Sequence, residues 1–329
     1  MFERQNQPTY QPTSPATNPS THQQTNQRVA YFNGSFVPES EVRVPFRDRS
    51  FLYGDGCFDM TRTFNGRPFK VAEHIDRFYR SLAYLRIDIG MTAAQMIEVT
   101  HEVVRRNAHL LGQGQDWWVG QRVSRGVKSV GDGEDPWEHM GANVIVDCMP
   151  LPFKARAEHY RDGIRVIVPS VRRTPPGSLS PRVKTHNYLN MIMADMEARE
   201  RDAQAWAVLL DENGNLCEGM GSNIFVVKDG RLATPQGRYV LEGVSRQTVI
   251  DLARADGMDV VERDIDLYDA YTADEVFLTS TSLCLCPVAK VNHAVVGAGN
   301  VPGPVVKRLL AAYSKLVDCD IEEQYLRQL

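Results

Sequence analysis

The 329-residue chain lacks any run near the ~18 consecutive apolar residues a membrane span needs, which excludes a transmembrane helix. Its first 28 residues hold no apolar core of the kind a secretory signal uses. An excess of basic charge is also missing. With 37 basic and 41 acidic residues the net charge is -4, so no field is available to gather a nucleic acid. The six cysteines (Cys57, Cys148, Cys217, Cys284, Cys286, Cys319) form no CxxC pair. His101, His109, His139, His159 and His293 show no ligand spacing either, so no metal site is expected. Each cysteine lies in an apolar or strand-like stretch, as reduced buried thiols do. What is left is a soluble, cytoplasmic, globular protein without nucleic-acid or membrane partners.

What is present is an ordinary apolar content of 43%, enough for a sizeable core, and a length that suggests two domains. Residues 1–28, rich in Gln, Thr, Pro, Asn and Ser, cannot offset their ordering entropy and are expected to be a disordered tail. Strands are expected over Val29–Phe32 and Gly56–Phe64, with hairpin signals at Asn33-Gly34 and Asn65-Gly66. Ile75, Phe78, Leu82 and Leu85 recur at helical spacing, a second helix covers Thr92–Leu111, and strands follow near 117–123 and 143–149. The Gly- and Asp-rich stretch 125–140 reads as a functional loop. Two prolines at 150 and 152 place a boundary, so the expected division is a small N-terminal α/β domain (29–150), a linker (151–158) and a larger C-terminal domain (159–329). In the latter a helix with Leu189, Ile192, Met193 and Met196 on one side precedes a strand meander, and Val305–Val317 reads as the final helix. No internal repeat is visible.

Several residues are candidates for chemistry. Lys184 precedes a polar turn (Thr185 to Tyr188) that opens a helix. A lone lysine is ordinarily solvated surface, but a desolvated one becomes a Schiff-base nucleophile. Glu218 lies in a Gly-rich turn, where it is either an exposed carboxylate or a partner for a protonated heterocyclic nitrogen. Gly243-Val244-Ser245 runs into a helix whose free N–H groups make an anion cup, although most helices begin in some such way. Thr279-Ser280-Thr281-Ser282 and Arg77 are further candidates for phosphate contact.

Taken in order, Arg77, Lys184 with Asn187-Tyr188, Glu218 with Asn223, Gly243 to Arg246, and Asp274 to Val288 resemble the class IV aminotransferases. Tyr53-Gly54-Asp55-Gly56-Cys57-Phe58-Asp59 is similar to that family's first-domain signature, and the resemblance spans about residues 30–315. It implies a two-domain α/β (α+β) fold of type IV with a C-terminal pseudo-barrel, and pyridoxal 5'-phosphate as cofactor. It also implies a homodimer in which the 125–140 loop or the Tyr53 region closes the neighbour's site. Carried over by residue, Lys184 would bind the cofactor covalently and shuttle the substrate proton. Glu218 would pair with the pyridine nitrogen, and Arg77, the Val244 and Ser245 amides and Thr281 would hold the phosphate. Tyr188 would touch the phenolic oxygen, although branched-chain enzymes place that tyrosine one residue further on. Tyr53, Phe58, Met60, Arg62, Arg125 and Ser282 would line the substrate pocket. The substrates would be an amine or amino acid and a 2-oxo acid such as pyruvate or 2-oxoglutarate, reacting by a ping-pong route.

The subclass signals conflict. After Ser124-Arg125-Gly126 the Arg-x-His carboxylate clamp of D-amino-acid enzymes is missing. Val171 to Pro176 and Val301 to Val305 resemble (R)-selective amine transaminases, whereas Phe58 to Arg62 is closer to the branched-chain pattern. The expectation is (R)-amine selectivity, with a branched-chain L-amino-acid enzyme as the alternative. An aminodeoxychorismate-lyase-like enzyme and a non-catalytic binding module rank lower.

Overall fold

A computed structural model describes residues 26–135 and 137–329, so the expected tail lies outside the described residues except for its last three. Six antiparallel strands form the first sheet, in the order β2-β1-β6-β5-β3-β4. They are β1 (Val29–Phe32), β2 (Ser35–Pro38), β3 (Gly56–Phe64), β4 (Arg67–Pro68), β5 (Trp117–Ser124) and β6 (Asn143–Pro150). A short helix, α1 (Arg49–Tyr53), precedes β3. Helices α2 (Val71–Leu85) and α3 (Ala93–Asn107) bury Ile75, Phe78, Met96 and Val103 in one core with Val119 and Val146. Helix α3 starts where Thr92 and Gln95 form a reciprocal capping box, in which their side-chain oxygens accept from two N–H groups that would otherwise lack acceptors.

The linker expected over 151–158 is instead the start of a helix, α4 (Phe153–Asp162). Its Phe153 and Tyr160, with Leu151, belong to the second core. Pro152 occupies the N-cap position, where the fixed proline ring interferes with no helical hydrogen bond, so the prolines start a helix rather than prevent one.

The second sheet contains β7 (Ile164–Ile167), β8 (Trp206–Leu210), β9 (Leu216–Gly219), β10 (Ser222–Lys228), β11 (Arg231–Thr234), β12 (Val260–Glu262), β13 (Glu275–Ser280), β14 (Cys284–Val291) and β15 (Ala294–Val295). Its order is β12-β11-β10-β13-β14-β7-β8-β9, and β9 also pairs with β10, closing six strands into a barrel. The closing register sets Glu218 opposite Asn223. Helices α5 (Leu189–Arg201), α6 (Val244–Ala255), α7 (Leu267–Thr272), α8 (Pro304–Val317) and α9 (Ile321–Leu326) complete the chain. The architecture is the two-sheet α+β arrangement with a barrel-like C-terminal sheet that the resemblance implied.

Two elements run against the sequence pattern. Strand β14 contains Pro287, a residue that argues against a central strand. Pro287 pairs with Phe277 of β13, and β7 joins only from Val288 onward, so no strand on that side needs a Pro287 N–H. Helix α5 buries Met191, Ala194 and Ala198, while its larger apolar residues face outward: Leu189 is 69% exposed and Met196 53%.

Candidate active site

A cavity of about 380 Å3 is lined by both sheets and by the segment that carries Lys184. That segment is pinned to β3. The Phe58 amide donates to the Lys184 carbonyl at 2.9 Å, the His186 amide donates to the Gly56 carbonyl at 2.9 Å, and the Lys184 amide donates to Ser81 Oγ at 3.3 Å. The lysine side chain is consequently buried, at 8% exposure. Its Nζ donates to the Tyr188 hydroxyl at 3.1 Å and lies 4.5 Å from the Phe58 ring centroid, a cation–π distance.

Glu218 is 4% exposed, at the seam that closes the barrel. Arg173 Nε donates to one carboxylate oxygen at 3.0 Å and the Leu241 amide to the other at 2.9 Å. The carboxylate is thus held in one orientation with both oxygens partnered.

Opposite lies the start of α6. Gly243 is the N-cap and supplies no side chain, so the first-turn amides of buried Val244 and Ser245 have no cap acceptor. A Cβ on Gly243 would come within 2.2 Å of Asn223 Oδ1, whose Nδ2 holds the Leu241 carbonyl at 2.9 Å. Glycine is therefore required where the backbone turns into this helix. Arg77 and Thr281 line the same space. Beneath Arg77, Asp59 is fully buried and accepts from Arg77 Nε (2.9 Å) and NH2 (2.7 Å) and from His74 Nδ1 (2.7 Å). Burial opposes ionisation of Asp59, but the Arg77 charge and the His74 contact outweigh it and hold the carboxyl well below the usual carboxylate range. Burial also pushes the His74 pKa down, against its hydrogen bond to Asp59.

Pyridoxal phosphate is the group that this donor set suits. Ser222 Oγ, Thr279 Oγ1 and Arg246 Nε are buried without a hydrogen-bond partner, and all three residues line the cavity. Buried polar atoms are rarely left so, and a polar guest would supply the missing partners. An amine nucleophile, a fixed carboxylate and a helix N-terminus with an arginine match an aldehyde, a pyridine nitrogen and a phosphate.

The profile of the amino-transferase class IV family matches residues 56–291. The chain belongs to the class IV aminotransferases. An inferred branched-chain-amino-acid aminotransferase of Methanocaldococcus jannaschii is 39% identical to it over 280 residues, covering 85% of this chain and 93% of the relative. The D-alanine aminotransferase of Bacillus licheniformis is 30% identical, over 85% and 94%. The crystal structure of the Escherichia coli branched-chain amino acid aminotransferase superposes with a TM-score of 0.81 at 30% identity, covering 88% of this chain and 95% of that one. Class IV aminotransferases are pyridoxal-phosphate enzymes.

Of the residues anticipated for this class IV site, Lys184, Glu218, Arg77, Tyr188, Val244, Ser245, Thr281, Phe58, Met60 and Ser282 all line the one cavity. Three expected pocket residues do not. Arg62 lies further along the same face of β3, where it is 2% exposed, stacks on Phe64 and donates to Gln324 at 2.9 Å. Arg125 donates to Asp55, the Leu85 carbonyl and the Arg86 carbonyl, bracing the loop. Tyr53 is 44% exposed and packs on Trp137 at 5.8 Å. Conversely, Arg173, Arg122, Arg156, Trp118 and Met220 line the cavity without having been singled out. Only Arg173, three residues ahead of Pro176 and eleven ahead of Lys184, carried a local signal.

Among the described residues no group of acidic, histidine and cysteine side chains has the geometry of a metal site. No helix of the described residues is long and apolar enough to cross a membrane.

Proposed function

We propose that this aminotransferase transfers the amino group of an amino acid with an aliphatic, branched-chain-type side chain to a 2-oxo acid, in two ping-pong half-reactions. The observation that carries this reading is the burial of Lys184 Nζ in one cavity with a doubly anchored Glu218. Bound pyridoxal phosphate would supply an electrophilic aldehyde and an electron-withdrawing ring. Lys184 is the nucleophile toward that aldehyde and the base that moves the substrate Cα proton, with Tyr188 and Phe58 orienting its amine. Glu218, steered by Arg173, would accept from the ring nitrogen. Arg77, the Val244 and Ser245 amides and Thr281 seat the phosphate. Phe58, Met60, Trp118, Met149 and Met191 give the cavity apolar walls that suit an aliphatic side chain and exclude water.

The reading includes a homodimer, supported by the outward apolar face of α5 and by Phe51, Tyr53, Trp137 and Met140, all large and exposed. It also includes a cytoplasmic setting, in keeping with six unpaired cysteines. A primary amine of (R) configuration is a second reading. It is favoured because Arg62 and Arg125, the two arginines expected in the substrate pocket, are committed elsewhere.

The test is a spectral titration of the yellow holoenzyme, without acceptor, by L-leucine, D-alanine, and (R)- and (S)-1-phenylethylamine. Bleaching by L-leucine supports the first reading, and bleaching by the (R)-amine alone moves the function to the second. A protein that never takes up pyridoxal phosphate overturns both.

A further inference from the structure

Strands β13 and β14 are joined by three residues, Thr281-Ser282-Leu283, and this turn carries Thr281 and Ser282 into the cavity wall. Ser282 and Leu283 are buried, so their carbonyls need donors. Two tyrosines supply them. Tyr325 of α9 donates to the Ser282 carbonyl, and Tyr160 of α4 donates to the Leu283 carbonyl. The two rings are stacked, with centroids 4.3 Å apart and planes 17° from parallel, and Phe153 meets Tyr325 edge-on at 5.0 Å. Burial pushes both phenol pKa values up, so each hydroxyl keeps the proton it donates.

The turn is held in a conformation it would not keep unaided. Cys284, which follows it, sits at φ 58, a left-handed backbone that a residue with a side chain retains only where its surroundings enforce it. Two further bonds tie the same segment from the cavity side. The Leu283 amide donates to Ser280 Oγ at 3.0 Å, and Ser245 Oγ donates to the Ser280 carbonyl at 3.1 Å, which joins the turn to the start of α6. Neither tyrosine lines the cavity, so their hydroxyls reach the site only through the backbone of the turn. A seat fixed before its ligand arrives loses no ordering entropy when the ligand binds. Resting on the phosphate seat assigned above, we propose that Tyr325 and Tyr160 are positioning residues that hold the Thr281 turn in its phosphate-receiving shape through the Ser282 and Leu283 carbonyls.

The experiment is equilibrium dialysis of the full chain, in phosphate-free buffer, against pyridoxal 5'-phosphate and, separately, against pyridoxal, which has no phosphate. The parent is compared with Y325F, Y160F, T281A and Y79F. Tyr79 donates to the Met91 carbonyl at 2.9 Å away from the cavity, so Y79F removes a like hydrogen bond without touching the turn. Affinity for pyridoxal 5'-phosphate should fall about threefold to tenfold in Y325F and in Y160F. Pyridoxal affinity should stay within about twofold of the parent in both, and Y79F should change neither. An equal loss for both ligands, a loss as large in Y79F, or parent affinity in either tyrosine variant of the brace overturns the proposal. Y160F frees the neighbouring carbonyl and carries the test if Y325F does not fold. T281A separates the two readings. Parent affinity there sinks the phosphate seat and the brace with it, whereas a weakened T281A beside unchanged Y325F and Y160F sinks the brace alone.

Discussion

The Phe58 amide and the Lys184 carbonyl share a 2.9 Å hydrogen bond between two segments 126 residues apart in the chain. It fixes the backbone of the nucleophile to a strand of the other sheet, while the Phe58 ring packs near the lysine amine. The site is thus built by the antiparallel N-terminal sheet as much as by the barrel, which accounts for a lysine being desolvated on a segment with no regular structure of its own.

Replacing Lys184 with Ala removes the amine that carries the proton. The rate of the L-leucine or amine half-reaction in protein saturated with pyridoxal phosphate is expected to fall by about 10²–10⁴-fold. Stopped-flow absorbance measures it. A rate near that of the parent would show that another group carries the proton.

Gly243→Ala places a methyl against Asn223 Oδ1, at the turn that presents the Val244 and Ser245 amides. Cofactor affinity should weaken about tenfold, equivalent to one lost hydrogen bond to a charged group, and thermal stability should fall as well, because the buried Asn223 amide must give way. Equilibrium dialysis of pyridoxal phosphate gives the affinity. Undiminished retention would mean that this helix start does not seat the phosphate.

Arg62→Met acts on stability and not on chemistry. It leaves Gln324 Oε1 without its donor in a buried site and should cost about 1–3 kcal/mol in urea unfolding. Turnover per folded molecule is expected to stay at the parent value. A selective change in substrate KM would instead return Arg62 to the pocket.

His186 sets an acid limit. It is held beside Ser50 Oγ at 2.5 Å, and burial, aided by the Arg122 charge, lowers its pKa to about 4. The unfolded chain, with an imidazole near 6.5, binds this proton more readily, so stability is full above that pH and is lost as pH falls toward 4. The loss from this group is at most about 3 kcal/mol. His186→Gln should flatten the fall measured by thermal melts from pH 7 to pH 4, leaving the parts due to His74, His139 and His159, whose pKa values burial also lowers. A parallel pH slope in both proteins would mean that His186 takes its proton as readily folded as unfolded.

Local pattern carried much of the fold. The 3.6-residue spacing of Ile75, Phe78 and Leu82, the Asn33-Gly34 and Asn65-Gly66 turns, and the alternation along β3 are short-range signals, and each element formed where they stand. The order of Arg77, Lys184, Glu218 and Gly243 likewise carried the family, because each residue belongs to a short segment of distinctive composition. Three-dimensional packing decided the rest. Arg62 and Met60 lie on one strand two residues apart, yet one enters the packing around Gln324 and the other the cavity, a choice made by the neighbours of β3. The apolar stripe of α5, legible as one side of a helix, faces outward, because small Ala194 and Ala198 let the helix approach the barrel on its other side. Arg156 gave no signal in sequence at all. Four other cavity arginines pair with carboxylates and it does not, a relation among residues distant in the chain that share one cavity only in the folded structure.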